Sequence, residues 1–538
     1  MDSISAPESP APVQASSHDA DPGATTPFQR LLARVFTRHV MNIAILVALP
    51  MIFSISLNPL CRGLEDPDVW WHLADARQLT TTHQFMHAEP NSFTVGGKPW
   101  VNPEWLAELP YWFSYKVLHY RGIYLVEWVV LCANLIFMYW RGYKRSGHAG
   151  AAWWAAALGF TLVSVNAGPR TIALAYLAMG AELAILEAFE RGHKRVLWLL
   201  PPLFCIWVNL HGSWLIGMAL FILYILCGSF EFKKGAIEQE AFSAETRNRL
   251  LVVLGLCLLA LLINPYGWRL AWNPIDMMTN QKLNIANVSE WKPLSLSSLA
   301  GMFAFAAMCL MVVTNAFRGR KWRVYEIAIV FFAWYAALDH MRFLFLAAVL
   351  TTPILAMDIR RGFNLESDKK TIPAANAFMV VAAAVVILMI FPSEAKLAKR
   401  LTRFFPMQSI AAIQPSWRTF NSDFVGGMMT FQSKPGFIDS RFDIFEHEGV
   451  LADYLKAMYL VSSFEVLDKH RIDHLLLTDT MPLSYLLKHT AGWTIIRRER
   501  VGEELYVTFA RTPGAPAGSV APNVGDGGPI VKDEDDLK

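Results

Sequence analysis

Long apolar segments recur along residues 1–392 and are separated by shorter polar stretches. A helix crosses a bilayer with about 20 mainly apolar residues, within a range of about 17–25. On this criterion the hydropathy pattern predicts a mainly α, polytopic membrane helix bundle of about eleven spans, some of them short. The predicted spans lie near residues 40–59, 122–140, 149–166, 171–189, 196–210, 213–230, 250–264, 299–317, 324–338, 343–358 and 374–392.

Basic residues precede the first span, at Arg30, Arg34 and Arg38, and then cluster in every second loop. Loops rich in Lys and Arg stay on the cytoplasmic side of a membrane. An odd number of spans then places residues 393–538 on the other side, so we expect a cytoplasmic N-terminus and an outward-facing C-terminal domain. The basic clusters occupy residues 141–145, 191–195, 233–234, 247–249, 318–323, 360–361 and 369–370.

Composition divides the chain in the same way. Charged residues make up 17% of the chain, against about 25% in a typical soluble domain. They account for about 15% of residues 1–392 and about 25% of residues 393–538. We therefore predict a disordered cytoplasmic tail at 1–38, a transmembrane domain at 39–392 that includes a long first outer loop at 60–121, an α/β domain at 393–511, and a disordered tail at 512–538.

The C-terminal domain alternates between strand-like and helix-like segments. Residues 436–440 and 474–478 are predicted as strands. Residues 450–461 have helical spacing, and residues 494–511 predict a hairpin that turns around Gly502. This alternation indicates a soluble α/β domain without a recognisable catalytic motif.

Several chemistries are missing from the sequence. It contains no P-loop, Rossmann glycine fingerprint, HExxH or GxSxG motif, which argues against an ATP-driven pump. The six cysteines form no CxxC pair, so that metal-ligand spacing is absent. The net charge of +3 is too small, and its basic residues too dispersed, to indicate binding of nucleic acid.

The first outer loop opens with a predicted helix that carries carboxylates on one face. Pro67 suits the first turn with Asp66 as its cap, and Asp68, His72 and Asp75 follow at i, i+4 and i+7. Asp66 and Asp68 could hold a divalent cation, Mg²⁺ or Mn²⁺, or either could act as a general base. The alternative interpretation is helix capping and solvation at the membrane surface, with the neighbouring tryptophans in the aromatic belt.

Further along this loop, Glu104 and Glu108 stand at i, i+4. The simplest interpretation of that spacing is the solvated face of an interfacial helix. Other polar residues sit at the outer ends of spans, where a buried charge usually faces a cavity or a partner. Arg170 and Arg342 suit phosphate recognition, although snorkelling also explains single arginines. The residues that this arrangement brings to one membrane face are Arg170, His211, Glu290, His340 and Arg342.

Several motifs resemble landmarks of bacterial polytopic membrane proteins of the GT-C glycosyltransferase superfamily. The most specific are DPDVWWHLADARQL followed by EPNSFTVGGKPWVNPEWLAELPYW in the first outer loop, and GFIDSRFDIF at 436–445. WVNLHGSW, INPYGW, SEW, HMRF and NSDFVGGMMTF are weaker matches, and the resemblance spans roughly residues 60–510. Many relatives have His before the Glu of the Glu-Trp-Leu segment, where this chain has Pro103 before Glu104.

The resemblance implies an inverting glycosyltransferase in the bacterial inner (cytoplasmic) membrane, with a periplasmic active site. Its donor would be a hexose or pentose on a polyprenyl phosphate, and its acceptor a glycan, a lipid or a protein. The family's acidic metal ligand or base maps onto Asp66 or Asp68, so a divalent cation is the one cofactor to expect. We expect the substrate to contact His72, Glu104, Arg170, His211, Glu290, His340 and Arg342.

The competing interpretation is a non-catalytic membrane protein, namely a transporter, a flippase for lipid-linked glycans or an assembly factor. Transporters keep their ionisable groups near the bilayer midplane. This sequence collects them at one face of the membrane, which favours a transferase.

Overall fold

The structure is a computed structural model that describes residues 27–56, 63–164, 168–317, 319–366, 372–512 and 530–531. Most of the two predicted disordered tails lies outside these residues. Residues 27–35 of the first tail form a helix, so the prediction of disorder is wrong there. Its apolar positions lie on one face and pack near the last membrane helix, which stabilises a segment too short to be helical alone.

Each of the eleven predicted spans coincides with a helix. The helices of the N-terminal part and the first outer loop are α1 (Pro27–Val35), α2 (Arg38–Ser56), α3 (Asp68–Thr82), α4 (Trp105–Ser146), α5 (Ala149–Val163), α6 (Ile172–Glu190), α7 (Leu200–Leu210), α8 (Trp214–Cys227), α9 (Ala244–Ala260), α10 (Trp268–Asn280), α11 (Lys282–Asn287), α12 (Leu299–Phe317), α13 (Val324–Asp339), α14 (Leu344–Gly362) and α15 (Pro373–Ile390). Among the described residues, five helical stretches are each long and apolar enough to cross a membrane. They are Trp105–Ser146, Ile172–Glu190, Leu299–Phe317, Met341–Gly362 and Pro373–Ile390. The chain is therefore a helical membrane protein, with several spans that are short.

The long helix α4 contains a sharp break at His119, whose backbone is non-helical with φ of 49°. The segment before the break belongs to the first outer loop, and the segment after it enters the bundle. Ser114 donates a side-chain hydrogen bond of 3.0 Å across this break to the carbonyl of Gly122. The predicted start of the second span near residue 122 therefore agrees with the structure, although the helix itself begins at Trp105.

Helix α14 forms the centre of the bundle. Its apolar stretch is 83% buried, whereas that of α15, at the periphery, is 11% buried. It packs closely on α5, where a Cβ added to Gly159 would lie 2.7 Å from the Thr352 hydroxyl. Small residues allow this approach, which is how membrane helices gain contact without a hydrophobic driving force. The 3-10 turn Met341–Phe343, which carries Arg342, leads directly into this central helix.

The C-terminal part is an α/β unit built on a mixed sheet. A separate hairpin, β1 (Phe232–Lys234) and β2 (Ile237–Gln239), precedes it in the chain. The helices of the α/β unit are α16 (Glu394–Leu401), α17 (Met407–Ala412), α18 (Asp423–Phe431), α19 (Phe442–His447), α20 (Val450–Met458), α21 (Ser463–Lys469) and α22 (Pro482–Lys488). Its strands are β3 (Thr419–Asn421), β4 (His474–Thr478), β5 (Trp493–Val501), β6 (Glu504–Arg511) and β7 (Ile530–Val531).

The sheet order is β3-β4-β6-β5-β7, with β3 parallel to β4 and the β5–β6 hairpin antiparallel. The strand at 474–478, the helix within 450–461 and the hairpin around Gly502 are confirmed. The predicted strand at 436–440 is wrong, because only Gly436 makes a bridge to β3. Side chains take its backbone groups instead: Asn421 bonds both the Phe437 amide and the Ile438 carbonyl, at 2.8 and 2.7 Å.

The α/β unit packs directly against the first outer loop. A Cβ added to Gly427 of α18 would lie 2.2 Å from the Pro67 carbonyl oxygen, so the two helices α18 and α3 meet there with no space for a side chain. The buried Arg441 guanidinium reaches Glu89 of the loop at 2.9 Å and Asp439 at 2.6 Å. These contacts fix the orientation of α3, whose first residues belong to the site.

Candidate active site

Helix α3 begins at the carboxylate pair that the sequence singles out. Asp66 accepts the backbone N–H of Asp68 at 3.1 Å, so the predicted cap is present. The Asp68 carboxylate accepts the indole N–H of Trp71 at 3.3 Å. Trp70 is fully buried and packs against Phe405 and Phe431 of the C-terminal part, which excludes an aromatic-belt position for it. Capping and core packing therefore orient both carboxylates.

Arg170 joins the first outer loop to a later one. Its Nε lies 2.7 Å from Oδ2 of the buried Asp66, and its Nη1 forms an ion pair with Glu290. Glu290 lies in the short 3-10 turn Ser289–Trp291. Arg170 therefore contacts both a carboxylate of the first outer loop and Glu290, which was predicted at the end of a different span.

A second cluster is centred on Glu104. Its carboxylate lies 3.4 Å from Nε2 of His72 and 3.3 Å from Nε2 of His211, and it accepts a hydrogen bond from the Thr171 hydroxyl. Because Thr171 follows Arg170 in the chain, it joins this cluster to the ion-pair group. The two groups together form one polar site at one end of the bundle.

Glu108 also belongs to the second cluster, which it joins through His72. Nδ1 of His72 lies 2.9 Å from its carboxylate, and the Asn102 amide donates to both of its oxygens at 2.9 and 3.0 Å. Glu108 is only 1% exposed. The interpretation of Glu104 and Glu108 as a solvated face is therefore wrong, because histidine and amide groups replace the solvent.

Burial governs the ionisation of the groups outside the membrane spans. It raises the pKa of Asp68, with the charge of Asp66 adding to the effect and Arg170 opposing it. Burial also raises the pKa of Glu104, against the influence of His72. The histidine pKa values move down: burial lowers that of His72 and brings that of His211 to about 3. The site thus combines imidazoles that bind protons less readily than usual with carboxyl groups that bind protons more readily than usual.

Arg342 lies over the Trp291 ring, with its guanidinium carbon 4.2 Å from the ring centroid. Within the described part of the chain its guanidinium makes no ion pair, in contrast to that of Arg170. His340 donates from Nδ1 to the Trp291 carbonyl at 2.7 Å, and its Nε2 lies 3.5 Å from the carboxylate of Asp339. It therefore holds the backbone of the loop that carries Glu290.

Sequence reasoning missed two contributions and grouped a third residue, Asp75, with the wrong cluster. Asn102 was detectable, because an Asn two residues before Glu104 can accept that residue's backbone N–H, as it does at 2.9 Å. Thr171 gave no signal, since its partner lies 67 residues earlier. Asp75 shares a face with Asp68 in sequence, but it lies 3.8 Å from Arg441 and belongs to the contact with the α/β unit.

The geometry does not fit a divalent cation held by Asp66 and Asp68. Such cations take six or more oxygen ligands, including carboxylates that are available to them. Here one oxygen of Asp66 faces the Arg170 guanidinium and the other accepts an amide N–H. Within the part of the chain that the structure describes, no group of three or more His, Cys, Asp or Glu residues is placed to hold a metal ion.

No family model and no curated protein matches the chain. Its similarity to known proteins is therefore a similarity of fold to solved structures. It is similar to the oligosaccharyltransferase of Archaeoglobus fulgidus solved tethered with an acceptor peptide that contains the NVT sequon. The match covers 86% of this chain and 73% of that one, at 12% identity and a TM-score of 0.52. The chain has the GT-C fold.

Two further solved structures with the GT-C fold are similar at lower scores. ArnT from Cupriavidus metallidurans, bound to undecaprenyl phosphate, is 13% identical over 86% of this chain and 97% of that one, with a TM-score of 0.48. The archaeal oligosaccharyltransferase in complex with Zn and sulfate is 12% identical over 85% and 72%, with a TM-score of 0.45.

Proposed function

We propose that this chain is an inverting membrane glycosyltransferase. It transfers a hexose or pentose from a polyprenyl-phosphate donor to a periplasmic or lipid-linked acceptor. The observation that carries the proposal is the contact of Arg170 with Asp66 and Glu290, beside the cluster around Glu104. These residues come from four separate parts of the chain and meet at one end of the bundle, as a transferase with a membrane-bound donor requires.

Arg342 receives the donor phosphate in this proposal. Arg170 is already paired with two carboxylates, whereas no carboxylate among the described residues lies within ion-pair distance of the Arg342 guanidinium, on which Glu290 acts only from further away. Guanidinium groups bind phosphate oxygens in pairs, and do so strongly where water is excluded. Because Arg342 begins the central helix region, the phosphate would be held next to the bilayer from which the lipid arrives.

The reaction is a single displacement. The acceptor hydroxyl attacks the anomeric carbon on the face opposite the phosphate, and the bond from that carbon to the phosphate oxygen breaks. The acceptor proton passes to the Asp68 carboxylate, and the lipid phosphate leaves with its negative charge facing Arg342. One displacement inverts the anomeric centre. A raised pKa at Asp68 suits a base, because it binds the proton better than an ordinary carboxylate.

Glu104 is the second candidate base. It has contacts to two histidines and Thr171, which stabilise its charge and hold it in place. Those same contacts leave it less accessible to an acceptor than Asp68. We therefore assign the acceptor proton to Asp68, and to Glu104, His72 and His211 the binding of sugar hydroxyls.

The proposed site faces the periplasm, with the chain in the bacterial inner membrane and its N-terminus in the cytoplasm. The α/β unit then covers the site from the periplasmic side and offers a surface for the acceptor. The positive charge of the alternate loops supports this orientation. No contact in the described residues favours the transporter or flippase alternative.

The test compares Asp68→Asn with wild type for transfer from polyprenyl-phosphate hexoses and pentoses. Loss of a general base costs about 10²–10⁴ in rate, so we expect turnover to fall by that factor at unchanged thermal stability. Glu65→Gln is the matched control, because Glu65 pairs with Arg400 outside the site at 2.8 Å. Unchanged turnover in Asp68→Asn would transfer the base role to Glu104 or Asp66, and a wild type inactive with every donor would contradict the proposed function.

A further inference from the structure

The position where the carboxylates of the site converge holds a guanidinium group. Arg170 contacts Asp66 through Nε at 2.7 Å and Glu290 through Nη1. The exposed fractions of the Arg170, Asp66 and Glu290 side chains are 15%, 0% and 12%. Carboxylates this deeply buried need a cation close by, because an unpaired buried charge is costly. Arg170 supplies that charge within the chain itself.

A guanidinium differs from a metal ion in how it holds carboxylates. It donates five N–H groups in a fixed plane, stays charged at every physiological pH and needs no ligand set. In this site Oδ2 of Asp66 meets Arg170, while Oδ1 is bonded to the backbone N–H of Asp68. Both oxygens of Asp66, the most deeply buried carboxylate of the pair that a divalent cation would need, are therefore already bonded within the chain.

We infer that Arg170 is the resident cation of the site, standing where the carboxylates would otherwise bind a divalent metal, and that sugar transfer is consequently metal-independent. The claim that sugar transfer is metal-independent rests on the proposed function. The claim that Arg170 takes the place of a metal ion does not. Arg170 is a positioning residue in this scheme. It ties Asp66, and through it the start of α3 with Asp68, to the turn that carries Glu290.

The charge balance explains why two arginines are present. Arg170 offsets Asp66 and Glu290 and keeps them from repelling each other. Arg342 then remains available for the phosphate, in van der Waals reach of the Trp291 ring.

The first test measures Mn²⁺ binding to the purified full-length protein by electron paramagnetic resonance, a readout that does not depend on activity. We expect no stoichiometric Mn²⁺ in wild type and a gain of one Mn²⁺ per chain in Arg170→Ala, where Asp66 and Glu290 lose their cation. Arg323→Ala is the matched control, since Arg323 pairs with Glu190 far from the site, and it should bind none. Stoichiometric Mn²⁺ in wild type that disappears in Asp66→Asn would overturn the inference.

The second test measures sugar transfer in excess EDTA. We expect wild type to retain its full rate, and Arg170→Ala to lose about 10²–10³-fold, the usual cost of removing one preorganised electrostatic group. Arg170→Lys keeps the charge without the planar fork and should recover part of the rate, which guards against a variant that merely unfolds. A wild-type rate abolished by EDTA and restored by Mn²⁺ would overturn the inference. If wild type transfers no sugar at all, the proposed function fails. The measurement of Mn²⁺ binding then still tests whether Arg170 takes the place of a metal ion.

Discussion

Nε of Arg170 donates a hydrogen bond of 2.7 Å to Oδ2 of Asp66, across 104 positions of sequence. This contact connects the start of α6 to the start of α3. Asp66 also accepts a hydrogen bond from the backbone N–H of Asp68. The position of Asp68, the proposed base, therefore depends on Arg170, which comes from another part of the chain. The contact also neutralises Arg170, which separates its role from that of Arg342.

That separation gives the first prediction. Arg342→Gln should raise the KM for the polyprenyl-phosphate donor by about 10–100-fold, because a hydrogen bond to a charged group is worth about 1.5–3 kcal/mol. The KM for the acceptor should change little. Steady-state kinetics with each substrate varied in turn provide the measurement. Arg269→Gln is the control, since Arg269 is an exposed arginine on α10 outside the site. An unchanged donor KM in Arg342→Gln would contradict the phosphate role.

The pH dependence of transfer gives the second prediction. Asp68 acts as a base only when ionised, and burial together with the charge of Asp66 raises its pKa. The rate should therefore be full at high pH and fall as the pH drops through that raised pKa, at a midpoint above the ordinary value of about 3.9 for Asp. Rates measured across pH, with thermal unfolding recorded at each pH, test this. A midpoint at or below the ordinary value would contradict it.

The bundle was predictable from sequence because its signal is local. Twenty apolar residues form a span whatever surrounds them, and the alternation of basic loops places the polar ends on two faces. That reasoning brought Arg170, His211 and Glu290 to the same end before any contact was known. The structure adds that Arg170 contacts Asp66 and that His211 contacts Glu104, both carboxylates of the first outer loop, and that Glu290 contacts Arg170.

The roles within the site were not predictable, because they depend on contacts between distant positions. Nothing near Arg170 in sequence distinguishes it from Arg342, yet only Arg170 meets two carboxylates. The error at residues 436–440 has a similar origin. Thr94 and Asn421 bond the backbone of that segment, so it joins the sheet only through the single bridge at Gly436.

The third prediction concerns the contact between α18 and α3. Gly427→Ala would place a Cβ 2.2 Å from the Pro67 carbonyl oxygen, so one helix must move. Overpacking of this kind costs about 1–3 kcal/mol, and the shift should also lower turnover by displacing Asp68. Gly255→Ala is the matched control, because a Cβ there meets nothing within 4 Å. Thermal unfolding and transfer assays on both variants test the prediction, and equal behaviour would contradict it.

The fourth prediction concerns membrane orientation. A reporter fused after residue 145 should be active in the cytoplasm, because that loop is basic, and one fused after residue 400 should be active outside it. Paired phosphatase and fluorescent-protein fusions at each position provide the measurement. The reverse pattern would put the site on the cytoplasmic face, and would remove the periplasmic acceptor from the proposed function.

The last prediction concerns the ionic cluster that docks the α/β unit on the first outer loop. Arg441 is buried with Glu89 and Asp439 and lies 3.8 Å from Asp75, so Arg441→Ala leaves three acidic groups without their cation. Breaking a buried pair from one side costs about 3–5 kcal/mol, and the Tm should fall accordingly. Arg511→Ala breaks a more exposed pair with Asp468 and should cost at most about 1 kcal/mol. Similar Tm losses in the two variants would contradict a docking role for Arg441.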